Sequence, residues 1–459
     1  MRTRLPLSVL ALLAACSPPG PARDASLDAP FADASDPPED APPDAPPREY
    51  PMPAAANAVS RADPRWEGQY RFLYDAWGTE VLGDWPPAEF MVRLQRDEPT
   101  VFGNQFEAFG FVPDPNDDLP VGFKRGRVDP IRVHETCALC HVGRLADGRT
   151  WFGLPNGRLD FGRFRVEVSR RWVAAGNAPL MTPLQERKAL QLGPGRTNAE
   201  TANYPVEVPA DFPAYFTLAR RGALNYMGTG RNLRTEAYLA IFTFGAGSPN
   251  DRTARVPFPA EPQLTAFLAF LGTLEAPSPP AADPTLLARG QAVFERARCG
   301  HCHHVGAVEA DGVTTLDRSP DGRERLPGED PRFARGSIRT SPQHRVLQDG
   351  DPSVDAGVDE GFGDLIQFIF ARRLQVQATD GYRVNDLRGL AYTAPYLHNG
   401  SVPTLEDLLR PRAERPATFQ REGFTVDTTR PPNSNQGHEF GVELPADDRA
   451  ALVAYLRSL

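Results

Sequence analysis

Five cysteines occur in the 459 residues. Four of them fall into two copies of one pattern, Cys137-Ala-Leu-Cys140-His141 and Cys299-Gly-His-Cys302-His303. Two thiols one helical turn apart can add to the two vinyl groups of a porphyrin, and the histidine that follows puts an imidazole under the iron. Losing any of the three leaves the porphyrin unattached or the metal unligated. Disulfides and zinc ribbons also use Cys-x-x-Cys pairs, but neither needs the adjacent histidine. The expectation is two covalently bound haem c groups, held by Cys137, Cys140, Cys299 and Cys302, with His141 and His303 as proximal metal ligands.

The opposite face of each iron can be argued by elimination. The eight histidines are His134, His141, His301, His303, His304, His344, His398 and His438, and none lies between His141 and His301. Within its own half, the first haem is left with Met181, Met227, a tyrosine such as Tyr226, or nothing. Met227 sits near Tyr238, Phe242 and Phe244, which could line a pocket, although a methionine in an apolar stretch is commonly core filler. An open first haem is the favoured reading, and an open iron is where peroxide or dioxygen chemistry happens. No methionine follows Met227, so the second haem should carry two histidines. His438 is the first choice as its distal ligand and His398 the second, with a structural role for His398 kept open. His134, one turn before Cys137, reads as local scaffolding and His344 as solvent-exposed. Arg158, Arg163 and Arg388 could pair with haem propionates.

The fifth cysteine has a different context. Arg2 and Arg4 precede an apolar run from Leu5 to Leu12, which leads into Leu13-Ala-Ala-Cys16. This is a signal peptide, too short to span a bilayer permanently. Small residues directly before a cysteine resemble the bacterial lipobox, so Cys16 is expected to be a lipidation site. From Ser17 to residue 54 the chain is Pro, Ala and Asp with little to bury, and should be a disordered tether. Eight acids against Arg23 and Arg48 give Ser17 to Tyr50 a charge of −6, out of −9 for the whole chain. With Arg2 and Arg4 removed, the body retains only about −5. The acidity argues against nucleic acid as a partner. Ser17 is no acidic retention signal, so the expected location is the periplasm or cell surface, with the outer membrane preferred.

The elements that must position these groups come next. Glu275-Ala-Pro-Ser-Pro-Pro-Ala-Ala-Asp-Pro284 interrupts two helical patterns, Gln263 to Leu274 and Leu287 to Phe294. It divides an N-terminal haem domain, 55–274, from a C-terminal one, 285–459. Residues 306–355 read as a long surface excursion. Helical spacing returns at Phe362 to Leu374, Leu405 to Leu409 and Asp447 to Leu459. The expected fold is mainly α, two cytochrome-c-like haem domains with long loops behind a disordered tether. No internal repeat beyond the two haem motifs stands out.

The run Asn385-Asp-Leu-Arg-Gly-Leu-Ala-Tyr-Thr-Ala-Pro395-Tyr-Leu-His-Asn-Gly400-Ser-Val-Pro-Thr-Leu405 resembles the C-terminal domain of the bacterial di-haem cytochrome c peroxidase superfamily. Glu414-Arg-Pro and Asn433-Ser-Asn-Gln-Gly-His438-Glu-Phe-Gly441 are more similar to its rubber-oxygenase-like branch. The resemblance covers Leu286 to the C-terminus well, and the N-terminal half mainly at its haem motif and Gly153-Leu-Pro-Asn-Gly-Arg-Leu-Asp160. For the peroxidases it implies that one haem takes electrons from a small donor protein and passes them to the other, where hydrogen peroxide is reduced. For the oxygenases it implies an N-terminal haem that holds dioxygen in an open site. Standard peroxidases carry a histidine shortly after the first motif, and this chain has none there. The implied partners are a redox protein, a small-molecule oxidant and, through the lipid, a membrane. A peroxidase-like oxidoreductase is the leading reading, with an oxygenase acting on an organic substrate, or a tethered electron carrier, as alternatives.

Overall fold

Short helices, several of them started by side-chain caps, are joined by loops and two-stranded ribbons in a computed structural model of this chain. It describes residues 55–74, 85–125, 131, 133–197, 209–216, 218, 233–234, 237, 261–301, 303, 385–429, 433–435 and 437–459. The signal peptide, Cys16, the tether, Tyr226, Met227, Cys302, His304, His344, the 306–355 excursion and the Phe362 to Leu374 pattern lie outside those residues.

In chain order the described helices are α1 (Trp66–Tyr74), α2 (Ala88–Asp97), α3 (Pro99–Phe102), α4 (Ala138–His141), α5 (Phe161–Ala174), α6 (Pro183–Leu192), α7 (Glu261–Leu271), α8 (Pro284–Arg296), α9 (Leu405–Leu408) and α10 (Ala446–Arg457). None is long and apolar enough to cross a membrane. The strands pair only with their neighbours, all antiparallel: β1 (Phe123–Arg125) with β2 (Val133–Glu135), β3 (Val142–Arg144) with β4 (Thr150–Phe152), β5 (Arg196–Thr197) with β6 (Ala210–Asp211), and β7 (Thr418–Arg421) with β8 (Phe424–Asp427). The fold is mainly helical, as the spacing predicts.

Local chemistry explains the helix starts. Asp283 accepts from the backbone N–H groups of Thr285 and Leu286 at 2.7 and 3.2 Å, with Pro284 opening α8. Thr182 and Gln185 form a reciprocal capping box on α6, and Asp160 caps α5 through the Arg163 N–H. Each cap satisfies donors that a helix leaves unpaired.

Two cores stand behind the two motifs. In the first, Phe106, Phe109, Phe111, Phe123 and Trp85 surround Phe164, at ring distances of 4.9, 5.5, 4.6, 5.9 and 5.6 Å. Cys140 packs against this cluster. In the second, Val293 and Phe294 of α8 meet Leu452, Val453 and Leu456 of α10 together with Leu405 and Leu409, and Cys299 packs there.

The halves share a further likeness that the sequence alone did not declare. Gly68-Gln-Tyr-Arg-Phe72 on α1 crosses Ala266-Phe-Leu-Ala-Phe270 on α7, and Gly290-Gln-Ala-Val-Phe294 on α8 crosses Ala451-Leu-Val-Ala-Tyr455 on α10. A Cβ at either glycine would lie 2.1 Å from the facing alanine carbonyl oxygen and 2.6 Å from the Cβ of the facing aromatic residue. The expectation of no repeat beyond the haem motifs is therefore corrected. The repeat escapes notice because only a glycine, a glutamine and a small set of apolar residues are kept, while the spacing to the motif differs in the two halves.

Candidate functional site

Cys137 stands at the N-cap of α4, and His141, its last residue, donates its N–H back to the Cys137 carbonyl at 3.2 Å. Both thiols of the first pattern thus belong to one helical turn. The turn is pinned from outside. Gly153 and Asn156 donate their backbone N–H groups to the carbonyls of His141 and Cys140, each at 2.8 Å. Gly122, at φ +79°, passes so close that a Cβ would lie 2.1 Å from the Leu139 nitrogen.

The His141 ring is oriented by two groups. Its Nδ1 lies 3.1 Å from the Pro213 carbonyl oxygen, and Tyr215 stacks on its face at 3.5 Å. With Nδ1–H donated to a carbonyl, Nε2 keeps its lone pair, the tautomer that a metal ligand needs. Burial holds the imidazole down to about 3, so it is neutral. Burial also pushes the Cys137 thiol up to about 11 and raises Cys140 further.

The second site repeats the arrangement. Cys299 opens a short 3-10 turn, Cys299–His301, and the His303 N–H donates to the Cys299 carbonyl at 2.9 Å. His303 Nδ1 lies 3.0 Å from the Asn385 carbonyl oxygen. Facing it is His438, whose ring centre is 6.2 Å from that of His303 with the planes at 47°. Burial, with His303 adding to it, holds His438 down to about 4. Its Nδ1 is buried without a hydrogen-bond partner.

That spacing tests whether an iron fits between the rings. A metal–imidazole bond of about 2 Å on each side, plus a ring radius of about 1.1 Å on each side, separates two axial ring centres by about 6 Å. The observed 6.2 Å matches. The paired cysteines, the His141 and His303 rings oriented by carbonyls at Nδ1 and the spacing of His303 and His438 all fit a covalently held haem.

One side chain holds the His438 loop. Arg415, 5% exposed, donates from its three guanidinium nitrogens to five backbone carbonyls: Arg410 at 3.2 Å, Asn435 at 2.6 Å, Gly437 at 2.8 Å, and Leu408 and His438 at 3.0 Å each. His438 itself has φ +52°, a left-handed conformation that a non-glycine residue keeps only where its surroundings enforce it.

The other named residues lie elsewhere. His398 sits half-buried in the turn to Gly400, and its carbonyl accepts the Asp211 N–H at 2.7 Å. His134 is buried on β2, with Nε2 3.2 Å from the Tyr74 carbonyl oxygen. The three arginines read as propionate partners each have a protein partner. Arg158 pairs with Glu422 at 3.3 Å, Arg163 with Asp160 at 3.3 Å, and Arg388 with Asp386 at 2.5 Å.

Residues 381–420 match the family model of the RoxA-like, cytochrome c-like domains. Over that segment the chain is similar to the RoxA-like cytochrome c domains. The matched segment carries Asn385, the acceptor of His303, and His398. Among curated relatives, the uncharacterized protein y4iJ of Sinorhizobium fredii (strain NBRC 101917 / NGR234) is 42% identical over 115 residues, 19% of each chain. The uncharacterized protein y4iM of the same strain is 49% identical over 53 residues, 12% of each. The chain thus spans about a fifth or less of the length of these relatives. Among solved structures, a MauG-like protein associated with microbial copper homeostasis has a TM-score of 0.32 at 18% identity, over 55% of this chain and 74% of that one. Kuenenia stuttgartiensis hydrazine synthase has a TM-score of 0.27 at 14% identity, over 55% of this chain and 72% of that one.

Sequence reasoning passed over Pro213, Asn385, Arg415 and a buried trio, Arg196, Asp211 and Arg421. The two acceptors act through backbone carbonyls, which every residue owns. The arginines are indistinguishable in sequence from surface charge until their burial is known.

Proposed function

We propose that this chain is a di-haem c-type oxidoreductase of peroxidase type. The site at Cys299, Cys302 and His303 relays electrons to the site at Cys137, Cys140 and His141, where a small oxidant is reduced. Hydrogen peroxide would take up two electrons and two protons and leave as two waters, the electrons coming from a donor protein. When bound, haem iron supplies one-electron chemistry and, with a vacant position, binding of the oxidant. The chain's own residues attach it through the thiols, fix the imidazole tautomers through the Pro213 and Asn385 carbonyls, and close the second site with His438. The single observation that carries this division of labour is the His303–His438 pair at 6.2 Å. Among the described residues no corresponding imidazole faces His141.

The RoxA-like match over residues 381–420 favours a second reading, an oxygenase using dioxygen at the first site on an organic substrate. One set of spectra separates the readings. We expect ferric protein with one low-spin and one high-spin haem, decay of added peroxide with reducing equivalents consumed, and conversion of the low-spin haem to high-spin in His438→Ala. Dioxygen uptake with an organic substrate and no peroxide turnover would select the oxygenase. Two low-spin haems inert to cyanide and peroxide would leave an electron carrier. An unchanged spectrum in His438→Ala would move the distal assignment to His398.

The chain is proposed to work outside the cytoplasm, anchored by lipid on Cys16, with the outer membrane preferred. The support is the Leu13-Ala-Ala-Cys16 ending of the apolar run. Cys16→Ser should move the protein from the membrane fraction to the soluble one; retention in the membrane fraction would remove the anchor from the account.

A further inference from the structure

Arg196 is completely enclosed, at 0% exposure. Its Nη1 donates to the Asn433 Oδ1 at 2.8 Å, and its Cζ lies 5.3 Å from the Phe424 ring centre. The remaining Nε and Nη2 are buried with no partner. Those two nitrogens share one edge of the guanidinium, the edge that meets a carboxylate in two parallel hydrogen bonds.

The neighbouring charges do not answer it. Asp211, opposite Arg196 in the β5–β6 ladder, gives its carboxylate to Arg421 at 2.6 Å. Asp160 caps α5 and pairs with Arg163. Both carboxylates act on Arg196 only through space, and neither meets its Nε and Nη2 edge. Burial, with Arg421 adding to it, brings Arg196 down to about 10, so it remains charged at neutral pH. A buried cation with three of its five N–H donors idle is costly and calls for an anion.

We propose that the Nε and Nη2 edge of Arg196 is a binding site for a carboxylate. The source favoured by its position is a propionate of the first haem, an assignment that rests on the di-haem reading above. Asp211 lies two residues before Pro213, the acceptor of His141, so the ribbon that carries Arg196 also carries the carbonyl that orients the proximal ligand. Once both vinyl groups are taken by cysteines, the propionates are the charged groups that a c-type haem has left. A free small carboxylate or oxyanion has the same chemistry and is the other source.

The test uses the full-length holoprotein with Arg196→Gln and Arg196→Lys. Haem content is counted first, then the potential of the first haem is followed between about pH 5 and 8, and acetate and phosphate are titrated calorimetrically. With a propionate bound, the wild-type potential is flat over this range, because Arg196 keeps the carboxylate ionised. In Arg196→Gln the potential falls as pH rises, because the propionate then takes up a proton at low pH and its neutral form favours reduced iron. Arg196→Lys, charged but unable to offer a paired edge, lies between and decides the matter if the Gln variant does not fold. With a free anion, the potentials stay alike and the wild type binds acetate or phosphate at least about tenfold more tightly than the variants. Identical potential profiles and identical anion binding in all three proteins would overturn the site. A chain carrying fewer than two haems would sink the di-haem reading instead, with the calorimetric titration still deciding the anion site.

Discussion

Arg415 concentrates more of the second site's geometry than any other single side chain described. It binds five backbone carbonyls, and one of them belongs to His438, whose left-handed backbone would otherwise relax. Methionine has similar bulk and none of the donors. Arg415→Met should therefore cost about 3–5 kcal/mol, because carbonyls that cannot reach water lose a charged partner. Denaturant unfolding of the holoprotein measures the loss. Because the released loop carries His438, the variant should also gain a high-spin component that added imidazole removes. Unchanged stability together with an unchanged spectrum would deny Arg415 this role. The residue was visible in the sequence within Glu414-Arg-Pro, but its use was not, since its acceptors come from two separate loops.

Helix pairs set the frame into which the motifs fit. Both crossings place a glycine under a backbone carbonyl, so neither can yield by a side-chain rotation. Gly68→Ala and Gly290→Ala should each lower stability by about 1–3 kcal/mol through overpacking, despite alanine's better helix propensity. Gly148→Ala is the comparison: nothing lies within 4 Å of its Cβ position, leaving only the cost of its positive φ, about 1 kcal/mol. Thermal unfolding of the three variants checks this, and a stabilised Gly290→Ala would contradict the packing. Helix existence was legible here. The patterns at Gln263 to Leu274, Leu287 to Phe294, Leu405 to Leu409 and Asp447 to Leu459 correspond to α7, α8, α9 and α10. Their ends shift by a few residues because caps such as Asp283 outrank apolar spacing.

Across the molecule, Pro51–Leu459 forms one compact unit, and buried polar groups tie its early and late segments together. Asp211 receives Arg421 and lends its N–H to His398, while Arg196 reaches Asn433. Burial raises Asp211, against the pull of Arg421 and Arg196. Removing Arg421 must raise it further, so its neutral form becomes the one that the fold tolerates. Stability is then complete below the unfolded carboxylate value of about 3.9 and lost as pH rises through the higher folded value. Arg421→Leu should lose about 3–5 kcal/mol near neutrality and recover part of it on acidification. Adding Asp211→Asn should restore stability at neutral pH. Equal destabilisation at pH values on both sides of the transition would place the effect in packing rather than charge.

The attachment pattern was readable because it is local: two thiols and an imidazole within five positions constrain one another through a single turn, whatever the rest of the chain does. The existence of helices was readable for a similar reason, since apolar spacing repeats within a few turns. Axial closure, tautomer choice and the enclosed arginines join groups far apart in the chain, as in the 72 positions between His141 and Pro213 and the 82 between His303 and Asn385. Such pairs depend on burial and on which carbonyls face inward, and neither is encoded in any short window of residues. They exist only once the helices have crossed.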